Sequence, residues 1–373
     1  MDFTFFQELL SIDSTSGKER KVAEWLAERL PGMFPAANRP VLRAEEVGDG
    51  TLNLLLTWGS PRIVFCSHLD TVPPYIEPIF PEGVFLSEPS LRAPSQGKPW
   101  APPSYAAEGG HRFGEEHPLR ENVIKGRGSC DAKGQVFAIV EACKRLAEAG
   151  KTDFGMLLLA GEETGSWGAK AFAKTDFKAE YLVVGEPTDN CMVSASKGTK
   201  SFDLKFTGEP FHSGYPQYGV SAVDLFVEFV NALKAKDFGM DPVLGETTWN
   251  IGLLHSDNPQ NILSPELTCR LYFRTTFVSD EAVCQWMTEA QSGRLTVTAR
   301  GGDTPARYWT VEGLPSKSVA FGSDAPHLKN FTHKAICGPG SITVAHRDDE
   351  HVLAADLATA VEQYIALYSS VTE

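Results

Sequence analysis

Ile63-Val64-Phe65-Cys66-Ser67-His68-Leu69-Asp70-Thr71-Val72-Pro73 is an apolar run that ends in an imidazole and a carboxylate two residues apart. Residues i and i+2 of a strand share a face. His68 can therefore bind a metal while Asp70 holds its other ring nitrogen, the arrangement by which carboxylates fix the tautomer of a ligating histidine. Most His-x-Asp pairs at strand ends are solvated turn residues, so this one gains meaning only from its company.

Working outward, Leu52–Leu56, Met156–Ala160 and Tyr181–Val184 are similar uninterrupted apolar runs. Residues 18–30 carry Val22, Trp25, Leu26 and Leu30 at helical spacing, and Ser16 followed by Glu19 reads as a capping box. Gln135–Ala149 reads as a helix stopped by Gly150. Fully apolar strands separated by helices predict an α/β sheet covered on both faces. The pattern changes near residue 197, where Phe202, Leu204 and Phe206 alternate with polar residues. A helix at 219–235, strands at 247–254 and 266–277, a helix at 279–291 and a strand at 294–299 then give the order βαββαβ, a ferredoxin-like α+β arrangement. The expectation is a catalytic α/β domain of residues 1–195 and 302–373, closed by a helix at Asp356–Tyr368, with a small domain of residues 196–301 inserted into it. Residues 76–122, rich in Pro, Gly, Ser and charge, read as a surface insertion or as a cover for an active-site mouth or a neighbouring subunit.

A chain of 373 residues exceeds what one core usually organises, in keeping with two domains. It has no apolar stretch approaching the roughly 20 residues that span a bilayer. Its start, Met-Asp-Phe-Thr-Phe-Phe, lacks a basic n-region, so a cytoplasmic location is expected. The seven cysteines (66, 130, 143, 191, 269, 284 and 337) contain no Cys-x-x-Cys pair, which argues against a disulfide framework and against a thiolate zinc site. A net charge of -14, from 34 Lys+Arg and 48 Asp+Glu, disfavours nucleic acid and anionic membrane as partners.

Four further motifs sit where strands give way to loops, the position at which α/β sheets bind ligands. Gly126-Arg127-Gly128-Ser129-Cys130-Asp131-Ala132-Lys133-Gly134 precedes a helix, but Asp131 stands where a dinucleotide fingerprint needs its third glycine. Gly161-Glu162-Glu163-Thr164-Gly165 places adjacent carboxylates at a strand end, where they repel unless a cation or proton holds them together. Gly185-Glu186-Pro187-Thr188 follows its strand in the same manner, and His346-Arg347-Asp348-Asp349-Glu350 lies between Gly338-Pro339-Gly340 and the last helix. Two histidines and three or four carboxylates without a thiolate suit paired zinc, cobalt or manganese ions. In such sites the ions lie about 3.5–4 Å apart, a water they activate is the nucleophile, and one carboxylate stays unligated to take its proton.

With these motifs in this order, nearly the whole chain resembles the dizinc hydrolases that include acetylornithine deacetylase, succinyl-diaminopimelate desuccinylase, aminoacylase and glutamate carboxypeptidase. The resemblance implies a zinc-peptidase-like three-layer α/β/α catalytic domain with an inserted lid and dimerisation domain, hence a homodimer through residues 196–301. It implies that His68, Asp131 and Glu186 hold one zinc ion while Asp131, Glu163 and His346 hold the other. Glu162 is then the general base and later proton donor, and Asp70 orients His68. His212, in Phe211-His212-Ser213-Gly214, matches the histidine that stabilises the oxyanion, usually in the partner subunit's active site. Asn261, Arg274, Gly338 and Gly340 match positions that hold the substrate carboxylate and backbone. The chain departs from the family pattern at Ala132 and in the long stretch between Asp70 and Asp131.

The acidic protein and the carboxylate clamp at Arg274 point to a small N-acyl amino acid. N-acetylornithine, or N-succinylornithine, is the leading substrate, which would place the enzyme in arginine biosynthesis. Succinyl-diaminopimelate and short peptides, the latter cleaved by a carboxypeptidase or dipeptidase, are the alternatives. A thiol hydrolase using Cys130 is disfavoured by the adjacent Asp131, and a catalytically silent binding protein by the complete ligand set.

Overall fold

The uninterrupted apolar runs become neighbouring strands of one six-stranded sheet in the computed structural model, which describes residues 1–81 and 122–372. Most of the Pro- and Gly-rich segment, and with it the reading of residues 76–122 as a cover for the active-site mouth, lies outside the described residues. The chain divides into two compact units, the first comprising Met1–Ser194, Tyr308–Lys317 and Ser323–Glu373. The second, Ala195–Arg307, runs past residue 301 and takes in Ser318–Gly322, residues that the sequence assigns to the catalytic domain.

In the first unit the strands lie in the order Val41–Val47, Thr51–Gly59, Asp153–Leu159, Ile63–His68, Ala179–Val184 and Phe331–Ile336. The last four run parallel, and the first two close the other edge in antiparallel pairing. Leu54, Leu56, Phe65, Met156, Leu158 and Val183 share one core with Val136 and Ile139 of the helix Lys133–Glu148 and Leu357 and Tyr364 of the helix Ala354–Thr372. The alternate residues Leu55, Val64, Cys66, Leu157, Leu159 and Leu182 face the other way and are just as buried. Burying each such side chain stabilises the fold by about 1.5–3 kcal/mol, which is why these runs do not alternate. The three-layer expectation for this unit is met.

One local reading is corrected. The amphipathic helix read over residues 18–30 is Arg20–Arg29, and Glu19 precedes it without a side-chain cap. Ser16 takes no part in a capping box: its Oγ donates to Asp70 Oδ2 at 3.0 Å. A hydrogen bond to a buried carboxylate is about twice as strong as a neutral one, so the tertiary partner wins over the local cap.

The second unit carries an antiparallel sheet in the order Thr248–His255, Glu266–Thr275, Gly198–Thr207 and Leu295–Gly301. Phe202, Leu204 and Phe206 pack with Leu267, Leu271 and Phe273 against Phe229 and Leu233 of the helix Ala222–Ala235 and Val283 and Met287 of the helix Asp280–Glu289. This is the βαββαβ order read from the sequence. Among the described residues no helix is long and apolar enough to cross a membrane.

Candidate metal centre

His68 is the last residue of the central strand Ile63–His68, Glu162 and Glu163 follow Asp153–Leu159, and Glu186 follows Ala179–Val184. All three strands are parallel, so these side chains gather at one carboxyl edge of the sheet. Asp131 comes from the loop before the helix Lys133–Glu148, and its peptide bond to Ala132 is cis. His346 comes from the loop before the terminal helix and has φ 64°, a left-handed conformation that a histidine keeps only where its surroundings dictate it.

Asp131 lies between two imidazoles. Its Oδ1 is 3.1 Å from His68 Nε2 and its Oδ2 is 3.3 Å from His346 Nε2, which also meets Glu163 Oε1 at 3.0 Å. One ligand atom each from His68, Asp131 and Glu163 falls within a 4.8 Å group. With each oxygen of Asp131 turned to a different histidine, one carboxylate can serve two cations. Glu186 sits one strand over, where Gly185 N donates to Cys66 O at 2.7 Å and Ser67 Oγ to Gly185 O at 3.1 Å.

Asp70 orients His68 differently from expectation. His68 Nδ1 is 2.9 Å from the Asp70 carbonyl oxygen and 3.5 Å from its carboxylate. The carboxylate instead accepts the backbone N–H of Glu162 at 2.9 Å and of Glu163 at 3.1 Å, together with Ser16 Oγ. Asp70 thus fixes the loop that carries Glu162 and Glu163.

The electrostatics suit cations. Burial opposes charge on Asp131, yet hydrogen bonds from His346 and His68 hold its carboxyl below the usual range. Burial also opposes charge on His68, and its bonds to Asp131 and Asp70 overcome this and raise it. His346 is pushed up to about 10 by its bonds to Asp131 and Glu163. Burial drives Glu162 and Glu186 well above the usual carboxylate range; His68 opposes this in both, and Glu162 adds to the rise in Glu186. Six carboxylates (Asp70, Asp131, Glu162, Glu163, Glu186 and Asp324) are set against His68, His346 and, beside Asp324, His327, and among the described residues Glu186 Oε1 is buried without a hydrogen-bond partner. These residues fit a pair of divalent ions: the orphaned acceptor and the excess of anions are both resolved by bound cations.

Gly338 and Gly340 are buried, and packing dictates both. A Cβ on Gly338 would stand 2.0 Å from Gln135 Oε1, and one on Gly340, whose φ is 77°, 2.6 Å from Cys130 Sγ. Gln135 Nε2 donates to Cys130 O at 3.0 Å and to Pro339 O at 2.8 Å, tying this loop to the Asp131 loop. Thr188 ties it to the Glu186 turn, accepting from Gly338 N at 2.9 Å. His212, Asn261 and Arg274 belong to the second unit. There His212 pairs with Ile262, and Ser213 N donates to Asn261 O at 2.9 Å, so the first two are brought together. Arg274 lies over the Tyr272 ring at 5.1 Å and, among the described residues, has no carboxylate partner. Sequence reasoning missed Gln135 and Asp324; the latter is buried, with Oδ1 unpartnered among the described residues, and is pushed up to about 6 chiefly by burial. The dipeptide Ser323-Asp324 has no spacing that would have flagged it.

Residues 100–370 match the family model described as Peptidase family M20/M25/M40. A probable carboxypeptidase of Aspergillus clavatus is 28% identical over 98% of this chain and 87% of its own length, and one of Emericella nidulans is 30% identical over 98% and 88%. In fold the chain resembles the crystal structure of a tripeptidase from Staphylococcus aureus, with TM-score 0.72, 18% identity and 96% and 95% of the two chains covered. The ligand geometry, the fold and the matched length agree: this chain belongs to peptidase family M20/M25/M40, a family of metal-dependent hydrolases.

Proposed function

We propose that this hydrolase releases the C-terminal residue of short peptides, acting as a dizinc carboxypeptidase or dipeptidase. The observation that carries the reading is Asp131 poised between His68 and His346, with the Glu162-Glu163 loop held beside it by Asp70. His68, Asp131 and Glu186 would hold one ion, and Asp131, Glu163 and His346 the other. Bound there, a pair of divalent ions would supply an activated water and polarisation of the scissile carbonyl.

The remaining work falls to side chains. Burial raises the Glu162 carboxyl above the usual carboxylate range, which makes it a stronger proton acceptor, so it would take the proton of the attacking water and return it to the leaving amine. His212 Nδ1 accepts the N–H of Gly214 at 3.0 Å, which leaves the ring proton on Nε2 as the donor an oxyanion needs. Arg274, free of a carboxylate partner among the described residues, is the group we assign to the substrate's terminal carboxylate. Asn261, Gly338 and Gly340 would line the substrate backbone.

Relatives named as carboxypeptidases support the short-peptide reading. Deacylation of N-acetylornithine uses the same chemistry on a different acyl group and takes second place. A homodimer through residues 196–301 and a cytoplasmic location complete the proposal; the exposed edge strand Thr248–His255, with Leu253 and Leu254 outward, supports the first.

The test is amino-acid release from dipeptides, tripeptides, N-blocked dipeptides, their C-terminal amides and N-acetylornithine, with and without chelator. Chelator-sensitive turnover that tolerates a blocked N-terminus and is lost on amidation is expected. Turnover of the amides would sink the carboxypeptidase reading, and exclusive turnover of N-acetylornithine would replace it with deacylation.

A further inference from the structure

We infer that Glu350, paired with Arg127, is a positioning residue for one of the two metal positions: it locks the Asp131 loop to the His346 loop, and its loss releases the ion held by Asp131, Glu163 and His346 ahead of its neighbour. The inference rests on the two-metal reading above and adds to it a residue that touches neither ion.

Glu350 is buried, and its side chain is saturated. Oε1 accepts the backbone N–H groups of Gly128 at 3.0 Å, Cys130 at 3.1 Å and Asp131 at 3.0 Å. Oε2 accepts Arg127 Nη1 at 2.5 Å. The same Nη1 donates to Arg347 O at 3.2 Å, and Gly126 N donates to Glu350 O at 3.0 Å. Arg127 Nε reaches Pro74 O at 3.1 Å. One carboxylate and one guanidinium, both buried, thus join the backbone beside Asp131 to the backbone beside His346. An ion pair this deep stabilises only when its remaining hydrogen bonds are satisfied, and here the backbone of the two ligand loops satisfies them.

The effect should fall on one position more than the other because the ligands are anchored differently. His68 ends a strand and Glu186 follows the adjacent one, so the sheet fixes both. His346 is half-exposed, on a loop, and strained at φ 64°. Arg127 and Glu350 connect its loop to the Asp131 loop on the side next to His346, at Arg347 and Glu350, whereas Gln135 and Cys130 meet that loop further upstream, at Pro339 and Ser341. Removing a group that orients ligands typically costs about 10–100-fold in metal affinity.

The experiment measures zinc equivalents and affinity by chelator competition, with thermal melting as a folding control, on the wild type and on Glu350→Gln. A buried unpaired Arg127 can prevent folding, so the doubly neutral Arg127→Gln/Glu350→Gln chain is measured beside it. At a buffered zinc level where the wild type holds two ions, the folded variants should hold one, the second weakened about 10–100-fold. Retention of both ions, or parallel loss of both, in a folded variant overturns the inference. A wild type that binds fewer than two ions overturns the two-metal reading itself, and does so before any variant is made.

Discussion

The carboxylate of Asp70 accepts the backbone N–H of Glu162 at 2.9 Å, while its own carbonyl oxygen meets His68 Nδ1 at the same distance. One residue therefore sets the tautomer of His68, a proposed metal ligand, and the place of the proposed base. Ser16 Oγ completes the shell of Asp70 from the N-terminal loop, which also lies along Thr71 through Ser16 N to Thr71 O at 2.9 Å.

Glu162→Gln should keep the ligand set and lose the proton acceptor. Loss of a general base costs about 10²–10⁴-fold, so kcat should fall by that much while the zinc content stays at the wild-type value. Metal analysis and steady-state kinetics on the same preparation check this, and near-normal turnover would remove Glu162 from the base role.

Ser16→Ala deletes one donor to a buried carboxylate without touching a ligand. With Asp70 less firmly held, the Glu162-Glu163 loop gains freedom, and kcat should fall about tenfold with KM within about twofold, in line with the worth of a hydrogen bond to a charged group. Ser16→Thr keeps the hydroxyl and should restore most of the rate. Equal loss in both variants would mean that the loop is merely packed there.

The proposed ligands could be picked out because each ends an apolar strand or sits in a glycine-bounded loop, patterns visible over a few residues. The ferredoxin-like unit was legible for the same reason, its alternation at Phe202, Leu204 and Phe206 being local. What holds the ligands was not. Glu350 lies 220 residues from Cys130 and Gln135 lies 204 from Pro339, and no spacing announces such pairs. Ser16 is the instructive case: Ser-x-x-Glu is a sound local signal, yet the hydroxyl had a stronger acceptor in Asp70. The glycines at 338 and 340 carry a family match for substrate contact, while the structure supplies a packing reason for each.

Asp356, in the first turn of the terminal helix, gives a pH prediction clear of the ligands. Burial pushes it up to about 6, with Asp189 adding and His351 opposing. Its unfolded value is near 3.9, so the folded state binds the proton more tightly. The stability this contributes is present below about pH 4 and is lost as pH rises through about 6. Asp356→Asn removes the cost of the buried charge. Its melting temperature should match the wild type at pH 4 and exceed it above pH 6, the ligand titrations being common to both proteins. An advantage that is constant across this range would show that the carboxylate does not titrate as stated.

Dimerisation and the role of His212 can be tested together. Glu162→Gln and His212→Ala should each be inactive alone. If His212 serves the partner's site, a mixed dimer holds one complete site, in which Glu162 of the His212→Ala chain meets the partner copy's intact His212. Random mixing makes half the dimers mixed, each with one site of two, so activity should recover to about a quarter of the wild type. If His212 serves its own chain, every site in every dimer lacks one group and nothing is recovered. Sedimentation of the mixture, with one chain tagged, establishes that mixed dimers formed, so that silence counts against donation in trans rather than against assembly. A monomer at micromolar concentration would set aside both the dimer and the shared site, and would return the oxyanion role to a donor within the chain.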